Sequence, residues 1–101
     1  MNVRQMREHA DEVRASNPRQ AAMFDRFADR MEREAPVLGL AGDVESGDLL
    51  QGINGTAFLV TTTERALDNR GRKVVRFGFD GVKQHFDARP GTNLRHWPAE
   101  D

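Results

Sequence analysis

Three turn signals, Asn54-Gly55, Asp68-Asn69-Arg70-Gly71 and Asp80-Gly81, punctuate the second half of this chain and call for a run of short antiparallel strands. Asn-Gly is the most specific of them, because a type I′ hairpin turn requires positive φ at both central positions. Read in order, the turns join residues 48–53 to 56–64, then to 72–79, then to 82–86. Within 72–79, Val75, Phe77 and Phe79 alternate with Val74, Arg76 and Gly78, the period of a sheet wet on one face.

Upstream of Pro36 the period is helical. Val3, Met6, Ala10 and Val13 form a narrow apolar stripe and predict a helix over 3–15, with Asn2 as N-cap and Gln5 placed for a capping box. Pro18 disfavours a helical Asn17 yet suits the first position of a new helix, which Asn17 can cap. Phe24, Phe27, Ala28 and Met31 supply the stripe of that second helix, predicted to end near Ala35. Arg4–Glu8 and Arg7–Asp11 are opposite charges one turn apart on the wet side.

The expected fold is α+β: a two-helix hairpin (1–36) packed on a four-stranded antiparallel meander (37–86), in the order ααββββ, with an extended C-terminal tail (87–101) anchored by Trp97. The Phe24–Phe27–Met31 stripe is the available cover for the sheet. A single domain over 1–101 is expected, since 101 residues support one hydrophobic core.

Composition excludes several chemistries. There is no cysteine, hence no disulfide, thiolate zinc site or thiol nucleophile. No apolar run is long enough to span a bilayer, and Met1–Glu8 is charged and lacks the apolar core of a signal peptide. A cytoplasmic protein with no membrane partner is expected.

The formal net charge of −1 conceals a polarised chain. Residues 43–64 carry four acids and no base, whereas 65–95 carry eight bases (Arg65, Arg70, Arg72, Lys73, Arg76, Lys83, Arg89, Arg95) and three acids. Asp43, Glu45 and Asp48 gather on one Gly-bearing loop, but the segment lacks the length and the terminal bidentate acid of a calcium loop, so no metal is expected there. His9, His85 and His96 lack a second His or Cys at metal-ligand spacing. His85 and Asp87 share a strand face only if the last strand reaches that far. No Gly-x-Ser-x-Gly elbow and no phosphate-binding loop with its lysine is present. Neither an enzyme nor a cofactor is therefore expected.

Binding remains. The expectation is a non-catalytic protein-binding domain of the size common among inhibitors, immunity proteins and accessory proteins of phages and mobile elements. Its candidate contact residues are Asp43, Glu45, Asp48, Arg70, Arg72, Lys73, Lys83, His85 and Trp97. Charged loops would steer the partner, and an apolar patch or an open sheet edge would hold it. Homodimerisation through the helical methionines is a further option. The alternative is a nucleic-acid contact through basic residues 65–95, where aromatic residues interleave with the charges. Against it stand the isoelectric point near 6.3 and the assignment of Phe77 and Phe79 to the core face. A helix-turn-helix is a poorer fit, because Asp25, Asp29, Glu32 and Glu34 would meet phosphates.

Overall fold

A computed structural model of the chain describes residues 1–99. The architecture is α+β: two helices and six antiparallel strands in one open sheet. The chain forms two compact units, one of Met1–Ala35 with Gly52–Ala57, the other of Pro36–Gln51 with the chain from Phe58 on.

In the first unit, α1 (Val3–Val13) and α2 (Pro18–Arg33) are capped as their sequences dictate. The Asn2 side chain accepts from Gln5 N–H at 2.8 Å while Gln5 returns the bond to the Asn2 N–H at 3.0 Å. Asn17 accepts from Gln20 N–H at 3.1 Å, and Pro18 opens α2. The helices run antiparallel and bury Met6 and Ala10 together with Ala21, Phe24 and Ala28. The His9 ring meets Phe24 edge-on, with centroids 4.7 Å apart. Arg4–Glu8 forms at 3.0 Å. Arg7 instead reaches Asp29 and Glu32 on α2, and Asp11 pairs with Arg14, because interhelical carboxylates lie within the guanidinium's reach. In the same unit the turn at 53–55 has positive φ at both Asn54 (59°) and Gly55 (73°). The Gly52 N–H closes it on the Thr56 carbonyl at 2.9 Å.

The strands are β1 (Val37–Leu40), β2 (Leu49–Gln51), β3 (Ala57–Leu67), β4 (Lys73–Phe79), β5 (Val82–Ala88) and β6 (Asn93–Trp97), in the sheet order β1-β6-β2-β3-β4-β5. The predicted meander is therefore the β2-β3-β4-β5 side of a wider sheet, and the four-strand count is corrected to six. The predicted tail is corrected with it: residues 93–97 form an inner strand, pairing with β1 through Val37↔His96 and with β2 through Leu49↔Trp97. Pro90 and Pro98 flank this strand, where a missing N–H interrupts no ladder. Residues 100 and 101 of the predicted tail lie outside the described residues.

The core of this second unit gathers Ala41 and Val44, from the short helical turn at 41–43 and just after it, with Leu50, Val60, Val75, Phe77 and Ala88; Phe79 and Leu94 pack at its margin. Val75 and Phe77 are buried as their period predicts, but Val74, expected on the wet face, is buried as well. Burying such a side chain contributes roughly 1.5–3 kcal/mol, so Phe77, wholly buried, is a principal anchor.

Candidate anion-binding groove

One end of the sheet carries five of the eight bases of residues 65–95: Arg65, Arg70, Arg72, Lys73 and Arg89. The β3–β4 turn is built by Asp68, whose Oδ1 accepts from the Arg70 and Arg72 N–H groups, both at 2.9 Å, and whose Oδ2 accepts from Arg72 Nε at 3.0 Å. These donors hold its carboxyl below the usual carboxylate range, the Arg72 backbone N–H foremost. Gly71 takes φ of 75°, which completes the turn. The β5–β6 turn lies alongside. There the Thr92 N–H donates to the Arg89 carbonyl at 2.9 Å, and the Pro90 and Thr92 carbonyls accept from Gly42 and Ala41.

Between these turns run two depressions that share Lys73 and Pro90 as lining. One, of about 420 Å³, is bounded by Arg65, Ala66, Leu67, Lys73, Val74 and Pro90. The other, of about 570 Å³, is bounded by Arg72, Lys73, Arg89, Pro90, Gly91 and Thr92. Together they make a groove whose lining, among the described residues, holds four bases and no carboxylate. Arg65 and Lys73 share a sheet face, since Arg65 pairs with Val75 and Lys73 lies two residues away. Arg65 Nη2 donates to the Gly42 carbonyl at 3.2 Å.

The candidate contact residues divide. Arg72 and Lys73 line the groove, and Arg70 is exposed on the adjoining turn. Asp43 and Glu45 are exposed on the 41–48 segment. Asp48 is only 5% exposed; its Oδ2 accepts from the Glu45 N–H and its Oδ1 from the Ala99 N–H, which makes it a tether between its own loop and the chain after β6. Trp97 is 4% exposed. Lys83 and His85 sit on β5, away from the groove lining, and His85 Nε2 lies 3.9 Å from Asp87 Oδ1. Arg76 is occupied by Asp87 and Glu64 on neighbouring strands. Among the described residues, no three His, Asp or Glu side chains gather as metal ligands do. No helix among them is long and apolar enough to cross a membrane.

Arg65 and Arg89 belong to the basic segment but were not among the candidate contacts. Sequence spacing gives no hint that they converge; only the register of β3 on β4 and the docking of the β5–β6 turn bring them together.

Fold and site thus define an α+β domain with a basic groove at one end of its sheet. Compared with protein-family models, with curated proteins and with solved structures, the chain finds no match.

Proposed function

We propose that this chain is a non-catalytic protein-binding domain whose groove holds an acidic segment of a partner. The observation that carries this reading is the convergence of Arg65, Arg72, Lys73 and Arg89 on a lining that among the described residues holds no carboxylate, with Asp68 answering Arg72 from the adjoining turn. Such a concentration of one sign attracts anions even when the whole molecule is near neutral. Arginine forks favour the two oxygens of a carboxylate. Ala66, Leu67 and Pro90 add aliphatic surface to the same lining, which suits a side-chain-bearing polypeptide. Such a domain acts as small inhibitors and accessory proteins do, by covering a partner's surface.

The same cations support a second reading, a nucleic-acid backbone contact. Among the described residues the groove lining contains no aromatic side chain for base stacking, and the net charge is −1, so the acidic polypeptide is preferred. Fluorescence anisotropy with a labelled glutamate-rich peptide and with oligo-dT of matched charge separates the two. The expected result is tighter binding of the peptide, weakened at least tenfold in Arg65→Ala/Lys73→Ala/Arg89→Ala. Tighter binding of oligo-dT would transfer the groove to nucleic acid. Peptide affinity unchanged in the triple variant would remove the groove from the function.

A further inference from the structure

Among the described residues the sheet has two open edges, and they are treated differently. On β5, pairing with β4 runs Phe77↔Phe86 and then Phe79↔Val82, so Lys83, Gln84 and His85 bulge opposite Gly78. A bulge and a lysine are the usual protections of an edge against a foreign strand. The β1 edge has neither. It pairs with β6 in unbroken register over all four residues and carries no charge. Val37, Leu38 and Leu40 are 50%, 62% and 44% exposed.

This unguarded edge leads into the groove. Immediately after Leu40, the Ala41 N–H donates to the Thr92 carbonyl at 2.8 Å and the Gly42 N–H to the Pro90 carbonyl at 3.1 Å. Pro90 and Thr92 line the basic depression, and Arg65 rests on the Gly42 carbonyl. A polypeptide leaving the groove therefore passes the 41–43 turn, where Asp43 is exposed, and then meets the outer side of β1, which itself carries no charge.

Resting on the groove reading above, we infer that the partner segment is extended and bipartite. Its acidic residues fill the groove, and the residues that follow add to β1 as a seventh, antiparallel strand. The antiparallel sense continues that of the sheet and places the acids N-terminal to the apolar residues, because β1 runs toward the groove. Backbone hydrogen bonds to β1 hold the strand, and its apolar side chains cover Leu38 and Leu40 on one face and Val37 on the other.

Five synthetic peptides test this on the intact protein by anisotropy: Glu-rich alone; the same acids followed by Val-Ile-Val-Thr; the two halves in reverse order; and two versions of the acid-first peptide N-methylated at alternate residues of its apolar half, one in each phase. The acid-first peptide is expected to bind about tenfold more tightly than the acids alone. Reversal, or N-methylation in one phase, is expected to return it to the acid-only affinity. Leu38→Ser/Leu40→Ser should diminish the gain while leaving the acid-only affinity unchanged. If the acid-only peptide binds and the extension adds nothing, or if order and N-methylation are immaterial, strand addition is wrong while the groove stands. If neither peptide binds, both readings fall.

Discussion

Arg76 on β4 grips Asp87 on β5 through two parallel hydrogen bonds, Nε to Oδ1 at 2.9 Å and Nη2 to Oδ2 at 3.1 Å. The pair is directly opposite in the register, and Glu64, opposite Arg76 on β3, lies 3.7 Å from the same guanidinium. An ion row thus crosses three strands.

The first prediction concerns acid. The hydrogen bonds from Arg76 hold Asp87 below the ordinary aspartate value, with further help from the Arg76 charge. A carboxyl whose folded pKa is depressed contributes stability that is present above its unfolded value, about 3.9, and lost as pH falls through the folded one. Urea midpoints should therefore drop between about pH 5 and pH 2. Asp87→Asn should flatten that drop, and Arg76→Ala should flatten it similarly by returning Asp87 to its ordinary range. An unchanged acid profile in Asp87→Asn would show that the pair carries none of this dependence.

A second prediction addresses the β1–β6 pair. A Cβ at Gly39 would lie 2.6 Å from His96 Cε1, and His96 is itself buried. Gly39→Ala should destabilise by about 1–3 kcal/mol as the imidazole is displaced. In a His96→Ala background the same substitution should cost much less, since the obstructing ring is gone. A double-mutant cycle in urea measures the difference. Additive effects would mean that the cost lies in the backbone and not in the ring.

Much of the fold was legible because local chemistry and tertiary demand agree. Asn2, Asn17 and Pro18 start their helices for reasons internal to a single turn, and Asn54-Gly55 accepts the positive φ it was chosen for. Val75 and Phe77 mark the core through period alone. Strands β1 and β6 were not legible. β1 exposes residues on both faces, so Val37-Leu38-Gly39-Leu40 has no alternation to read. β6 lies between prolines, a composition that reads as tail until its partners are known. The groove was half legible: Arg70, Arg72 and Lys73 are neighbours in sequence, but Arg65 and Arg89 join them only through strand register. Asp48 and Trp97 carried charge and aromatic area that suggested contact, and the fold uses both inside.

A third prediction follows from the core. Phe77 is wholly buried among Val60, Val75 and Ala88 and stacks near-parallel on Phe86, with centroids 6.3 Å apart. Phe77→Ala should cost about 3–5 kcal/mol, a large share of the total stability of a chain this size. Phe86→Ala, from a ring 43% exposed, should cost clearly less. Equal losses in chemical denaturation would contradict the assignment of Phe77 as the central anchor.

The last prediction separates the two roles of Asp68. Its carboxylate is the bracket of the β3–β4 turn, and it is also the negative charge that answers Arg72 beside the groove. Asp68→Asn keeps an oxygen able to accept from the Arg70 and Arg72 N–H groups but removes the charge that binds the Arg72 side chain. The melting temperature should fall by a few degrees. Association of an acidic peptide should nevertheless quicken about twofold at low salt, because the groove gains one net positive charge. Raising the salt to about 0.5 M should erase the kinetic gain, since charges beyond the shortened Debye length no longer act on one another, and leave most of the stability loss in place. Stopped-flow association across a salt series, beside thermal melts in the same buffers, reads both. Slower association at low salt would mean that Asp68 serves the groove by positioning Arg72, and that the field of the groove is not what draws the partner in.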